Sequence, residues 1–149
     1  VNQKLSRFMF ALAVLITCSS SALAEEFEQV FIQKYKQEML PELRLAKTDR
    51  YMAQGLSKEQ INIKLEKLAT DAAHCQFKTF QAYESKYQQV AYNALLDGST
   101  TEDAALQLNE ALSLAVDNGK ISEDELSRRV KNAMDLYAAC VVNSDLVNK

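Results

Sequence analysis

The only histidine of the chain, His74, stands beside Cys75 in the stretch Ala72-Ala73-His74-Cys75-Gln76-Phe77. An imidazole next to a thiol suggests three chemistries: a nucleophilic pair, a zinc site, or a cysteine whose partner lies elsewhere. A thiolate nucleophile needs its base within hydrogen-bond reach. Neighbouring residues on a helix point about 100° apart, so His74 and Cys75 do not face each other. No second histidine exists to take the role. Zinc would have to draw on Asp71, His74, Cys75 and Cys140. Structural zinc sites carry paired close spacings such as C-x₂₋₄-C or H-x₃₋₅-H, and this sequence has neither. The expected place for His74 is a partly exposed helix position, paired with Asp71.

Two other segments invite chemistry. Asn118-Gly119-Lys120-Ile121-Ser122-Glu123-Asp124-Glu125 resembles the second half of a calcium loop. The first and third ligand positions then fall on Leu114 and Val116, which offer no side-chain oxygen. A helix end followed by a capped helix start explains the segment better. No nucleophile elbow, phosphate loop or dinucleotide fingerprint is present, and no carboxylate is isolated in an apolar stretch. The sequence therefore points to no catalytic residue, no metal ligand and no cofactor.

The N-terminus carries Lys4 and Arg7, then an apolar run from Phe8 to Thr17, then a small polar segment ending Ala22-Leu23-Ala24. The apolar run is about ten residues, against the ~20 a membrane span needs. This is the layout of a secretory signal peptide, residues 1–24, cut after the A-x-A pattern of Ala22 and Ala24. Lipidation at Cys18 is the alternative, but Thr17 fits poorly where Gly, Ala or Ser normally precedes the lipidated cysteine. The domain 25–149 holds 125 residues, enough for one hydrophobic core. It has 15 basic and 20 acidic residues, a net charge of −5. No basic cluster interleaved with aromatics appears, so nucleic acid is not an expected partner. No later apolar stretch approaches membrane length, so no stable membrane insertion is expected after cleavage. The expected location is the periplasm.

Export changes the cysteine count. Removal of the signal takes Cys18 and leaves Cys75 and Cys140, two thiols in an oxidising compartment. A Cys75–Cys140 disulfide is the expectation.

The elements that must position this bond read as helices throughout. Ala, Leu, Gln, Glu and Lys are plentiful, while Gly and Pro are scarce. Helix ends are expected at Gly55, at Asp97-Gly98-Ser99 and at Asp117-Asn118-Gly119. Starts are expected at two capping boxes, Ser57 with Gln60 and Ser122 with Glu125. Hydrophobic staples Leu56–Ile61 and Ile121–Leu126 accompany them. A third start falls at Ser99 or Thr100, answered by Glu102 or Asp103. Pro41 is expected to begin a new helix or kink the first one.

Apolar residues recur at helical spacing. The expected stripes are Phe27, Val30, Phe31 and Tyr35; Ile61, Leu65, Leu68 and Ala72; Phe80, Tyr83, Tyr87, Ala91 and Ala94; Ala105, Leu108, Leu112 and Ala115; and Leu126, Val130, Met134, Tyr137 and Val141. The aromatic series Phe77, Phe80, Tyr83, Tyr87 and Tyr92 reads as core before partner surface. Arg128, Arg129 and Lys131 read as a solvated face. The two boxed segments align with an offset of 65, which superposes Cys75 on Cys140. Two ordinary amphipathic helices account for this more simply than a duplication.

The disulfide conflicts with one local reading. Residues 57–97 contain no Gly or Pro and could form a single helix. With short turns after it, that helix would leave Cys75 about 22 residues, or ~33 Å, from the level of Cys140. The bond requires Cα atoms within about 7 Å. A break after Cys75 is therefore expected, with the chain reversing near Glu84-Ser85-Lys86-Tyr87.

The fold expected is an all-α, single-domain bundle of four to five helices stapled by one disulfide. The function expected is a small exported, non-catalytic binding protein, an inhibitor or neutraliser of another exported protein in the cell envelope. A periplasmic chaperone or stress adaptor is the alternative, and an envelope hydrolase stands third. Assembly as a homodimer is left open.

Overall fold

The computed structural model describes residues 19–144 and 146, with side chains from Ala24 onward. Residues 1–18, with Cys18 and most of the expected signal segment, lie outside this description. Among the described residues the fold is all-helical. Five helices run in order: α1 (Ser19–Ala53), α2 (Lys58–Phe80), α3 (Ser85–Leu96), α4 (Thr101–Asp117) and α5 (Glu123–Asn143).

Each helix after the first begins where a side chain can satisfy the free amides of its first turn. Ser57 accepts from the Gln60 amide, and the Gln60 side chain accepts from the Ser57 amide at 2.8 Å, so the capping box is complete. Thr100 accepts from the Asp103 amide and starts α4. Ser122 accepts from the Glu125 amide, but Glu125 spends its carboxylate on Arg129. Glycine closes α3 and α4. Gly98 and Gly119 take positive φ (95° and 66°). The following amides then reach back to the Ala94 and Ala115 carbonyls at 3.0 and 2.8 Å.

Pro41 lies inside α1 and starts no new helix. The segments on both sides of it are held by packing. Phe27 and Phe31 sit in the main core, while Leu40, Leu43 and Tyr51 pack with Ile61 and Leu65 of α2. That burial outweighs the one backbone hydrogen bond a proline removes.

The break in residues 57–97 is present. α2 ends at Phe80, and three successive i to i−3 bonds, from the amides of Gln81, Ala82 and Tyr83, tighten the chain into a turn. Glu84 then opens α3 in extended conformation (φ −62°, ψ 150°). Its carboxylate makes no cap hydrogen bond to α3.

α2 lies between α1 and α5, and α3 pairs with α4 in a second hairpin set against α1. The main core joins the two hairpins. Phe27 makes edge-to-face contacts with Phe77 and Phe80 at ring separations of 5.0 and 5.3 Å, and Phe31 meets Phe80 at 5.1 Å. Ala91, Tyr92 and Leu95 of α3 and Leu108 and Leu112 of α4 close over them. On α2 the buried stripe is Ile61, Leu65, Ala69 and Ala73. Leu68 and Ala72 are only half-buried, a rotation of the expected face. The aromatic series is core at Phe77, Phe80, Tyr87 and Tyr92 and half-exposed at Tyr83.

One contact between hairpins had no sequence signal. The Glu38 carboxylate of α1 accepts from the Thr101 amide, with both oxygens at 3.2 Å, and from the Thr101 hydroxyl. An acidic group from another helix thus serves the N-terminus of α4.

Candidate partner-binding groove

The candidate site is built around α5. Its partner α2 runs antiparallel to it: Arg129 meets Glu84 at one end, and Cys140 meets Cys75 at the other. The disulfide joins Cα atoms 5.3 Å apart, so the break in the chain does bring the two sulfurs together. Cys75 is fully buried and Cys140 is half-buried.

Arg129 was expected on a solvated face with Arg128 and Lys131. Its side chain is instead only 16% exposed and bridges Glu84 and Glu125. The unused cap residue of α3 is therefore the docking point for α5. Hydrogen bonds from Lys86 and Arg129 hold the Glu84 carboxyl below its ordinary range, and donation to the Glu84 and Glu125 carboxylates pushes the Arg129 guanidinium up.

Between these two anchors α5 does not bury its apolar stripe. Ala133 alone of its residues is buried. Met134 is 66% exposed, and Val130 and Tyr137 are each 42% exposed. The expected stripe through Val130, Met134 and Tyr137 is thus exposed and not part of the core. α5 packs chiefly on α2 and touches α4 little, so its stripe overhangs the space between them.

That space is a groove of about 660 Å³. Phe80 and Leu108, both buried, form its floor. α2 and its following turn add Gln76, Thr79 and Tyr83; α4 adds Ala105 and Asn109; α5 adds Val130, Met134, Tyr137 and Ala138. No lining residue carries a charge, although a quarter of the chain is charged. The size lies within the ~300–1,000 Å³ range of ligand pockets, and an apolar wall with a few polar groups is their usual composition. Burial raises the pKa of the Tyr83 hydroxyl. Burial also raises Tyr35 of α1, with added effects from Tyr137, Glu38 and Glu42. Tyr83 and Tyr35 therefore stay neutral hydrogen-bonding phenols at physiological pH.

A second depression, about 450 Å³, lies between α1 and α2. Lys36 and Glu66 pair across it at 3.0 Å, so its charges are already matched. Its lining is mainly Gln side chains with Ile32 and Leu40.

The remaining expected site residues resolve as follows. His74 is exposed and its Nδ1 lies 3.4 Å from Glu28 of α1. The expected partner Asp71 is engaged by Lys67 at 2.6 Å. Among the described residues, no group of three or more His, Cys, Asp and Glu side chains gathers to hold a metal ion. No described helix is long and apolar enough to cross a membrane. Ala22 and Ala24 lie near the start of α1. Comparisons with known protein families, with characterised proteins and with solved structures found no match in any of the three.

Proposed function

We propose that the chain is an exported, non-catalytic binding protein whose groove takes the apolar face of a segment from another protein of the cell envelope. It would act as an inhibitor or neutraliser of that partner. The carrying observation is the uncharged groove under the exposed stripe Val130, Met134 and Tyr137. A helix that leaves such a stripe uncovered, beside a groove with a buried aromatic floor, offers a partner helix the apolar seat used in helix-in-groove recognition. Aromatic and Met side chains are also the residues enriched at interface centres. Cleavage after Ala24 would deliver the domain 25–149 to the periplasm, where the disulfide is at home.

The test is capture from envelope extract by the immobilised domain, with Met134→Asp and Val130→Asp as controls. One dominant protein held by the wild type and lost by both variants supports the proposal. Equal recovery by wild type and variants, or turnover of any envelope substrate by the purified chain, refutes it. Suppression of aggregation across several unrelated clients would favour the chaperone reading instead.

A further inference from the structure

We propose that the Cys75–Cys140 disulfide is a redox latch on the groove, and that its reduction releases α5 while the remaining bundle stays folded. The latch deepens the binding reading above, from which it takes only that the groove is the site.

The argument starts from what holds α5. None of the buried members of the main core lies on it. Leu126 packs at the edge of that core, Ala133 is buried, and Arg129 makes the Glu84 bridge. Each is a small or partly solvated contact, the Glu84 end of the bridge being 45% exposed. Every buried residue of the main core, Phe27, Phe31, Phe77 and Phe80 among them, lies on the other four helices or at Ile121 ahead of α5. Local stability follows buried apolar contact, so α5 is the element of lowest stability once its covalent tie is cut. The tie is placed to control the groove. Cys75 adjoins Gln76, and Cys140 follows Ala138 by two residues, both groove-lining positions. Buried Ile121 stays in the core, so a released α5 would swing from the turn at Gly119–Ser122.

The chemistry requires an external dithiol. One of its thiolates attacks Sγ of Cys140, the less buried of the two cysteines, because Cys75 is closed to solvent. The protein S–S bond breaks, Cys75 leaves as a thiolate and takes a proton. The second thiolate of the reductant then attacks its own sulfur in the mixed disulfide and releases Cys140. Two electrons pass to the protein, and the reductant becomes a disulfide. With α5 free, the groove loses the wall carrying Val130, Met134 and Tyr137. The oxidised form is thus the binding-competent one.

Hydrogen exchange read by mass spectrometry tests the latch on the chain 25–149, oxidised and reduced with dithiothreitol at neutral pH. Expected is exchange across α5 that rises to near the unprotected rate in the reduced protein, while α1 to α4 stay at least about tenfold slower than α5. A reduced α5 that stays protected overturns the proposal. So does loss of protection in all helices together. The Cys75→Ser/Cys140→Ser double variant is measured in parallel, and its failure to fold counts as the global outcome. Partner capture is run on oxidised protein alone. Failed capture with local release of α5 would therefore sink the binding reading and leave the latch standing, and the converse result would do the opposite.

Discussion

Removing the Glu38 carboxylate tests how the two hairpins are joined. Thr101 is buried at the first position of α4, where its amide has no partner inside its own helix. Glu38 supplies one, with both oxygens 3.2 Å from that amide, and also accepts from the hydroxyl. A hydrogen bond to a charged group contributes about 1.5–3 kcal/mol, and a negative charge at a helix N-terminus adds about 0.3–1 kcal/mol. Glu38 is half-exposed, which screens part of this. Glu38→Ala also leaves a buried amide and hydroxyl unpaired, so a loss of about 2–3 kcal/mol is expected. For a domain of this size that corresponds to a Tm drop of roughly 6–10 °C. Glu38→Gln keeps an acceptor without the charge and should cost about 1 kcal/mol. Urea titration followed by circular dichroism reads both, as a lower midpoint at constant slope. A double-mutant cycle with Thr101→Val isolates the pair, with an expected coupling of about 1 kcal/mol or more. A loss below about 0.5 kcal/mol for Glu38→Ala, or strict additivity with Thr101→Val, would refute the reasoning.

Further perturbations separate the other contributions. The disulfide closes a loop of 65 residues. The chain-entropy relation then assigns it about 4 kcal/mol, so reduction should lower the melting temperature of the remaining core by roughly 15 °C. An unchanged melting curve with both thiols free would contradict this. Glu84 has a depressed folded-state pKa, so its ionised form stabilises the fold above the ordinary carboxylate range, and that contribution disappears as pH falls through the depressed value. Wild type should therefore exceed Glu84→Gln in stability at pH 7, and the gap should close in acid; a pH-independent gap would rule out the ion pairs as its source. Met134→Asp should change stability by less than about 0.5 kcal/mol because the side chain is exposed, whereas Phe27→Ala should cost about 3–5 kcal/mol through loss of core packing. Equal losses in chemical denaturation would show that α5 packs more tightly than described.

Much of the fold was legible because helices announce their ends locally. Ser57 and Ser122 start helices through contacts three residues away, and Gly98 and Gly119 end them through backbone conformation. The break before Glu84 was legible for another reason. No local breaker marks it, but covalent geometry at Cys75 and Cys140 does not allow the straight alternative. The candidate groove was not legible. Val130, Met134 and Tyr137 carry the same apolar periodicity as a core stripe, and periodicity reports a face without reporting what lies opposite it. Glu38 and Arg129 were missed likewise, since a charge on a polar face looks the same whether it meets water or another helix.

The sequence by itself determined the helical class, the capped helix starts at Ser57, Thr100 and Ser122, and the pairing of Cys75 with Cys140. These depend on capping, propensity and cysteine arithmetic, which act over a few residues or leave one choice. Only the tertiary structure decided which apolar stripes close on one another and which stays open. That outcome rests on how α2, α4 and α5 are set in space, and so on the packing of Phe27 and Phe31 of α1 and Phe77 and Phe80 of α2 against α3 and α4. The stretch around His74 and Cys75 shows both levels. The partner of its cysteine follows from cysteine arithmetic, while its position beside an uncharged groove comes from packing that no local pattern encodes.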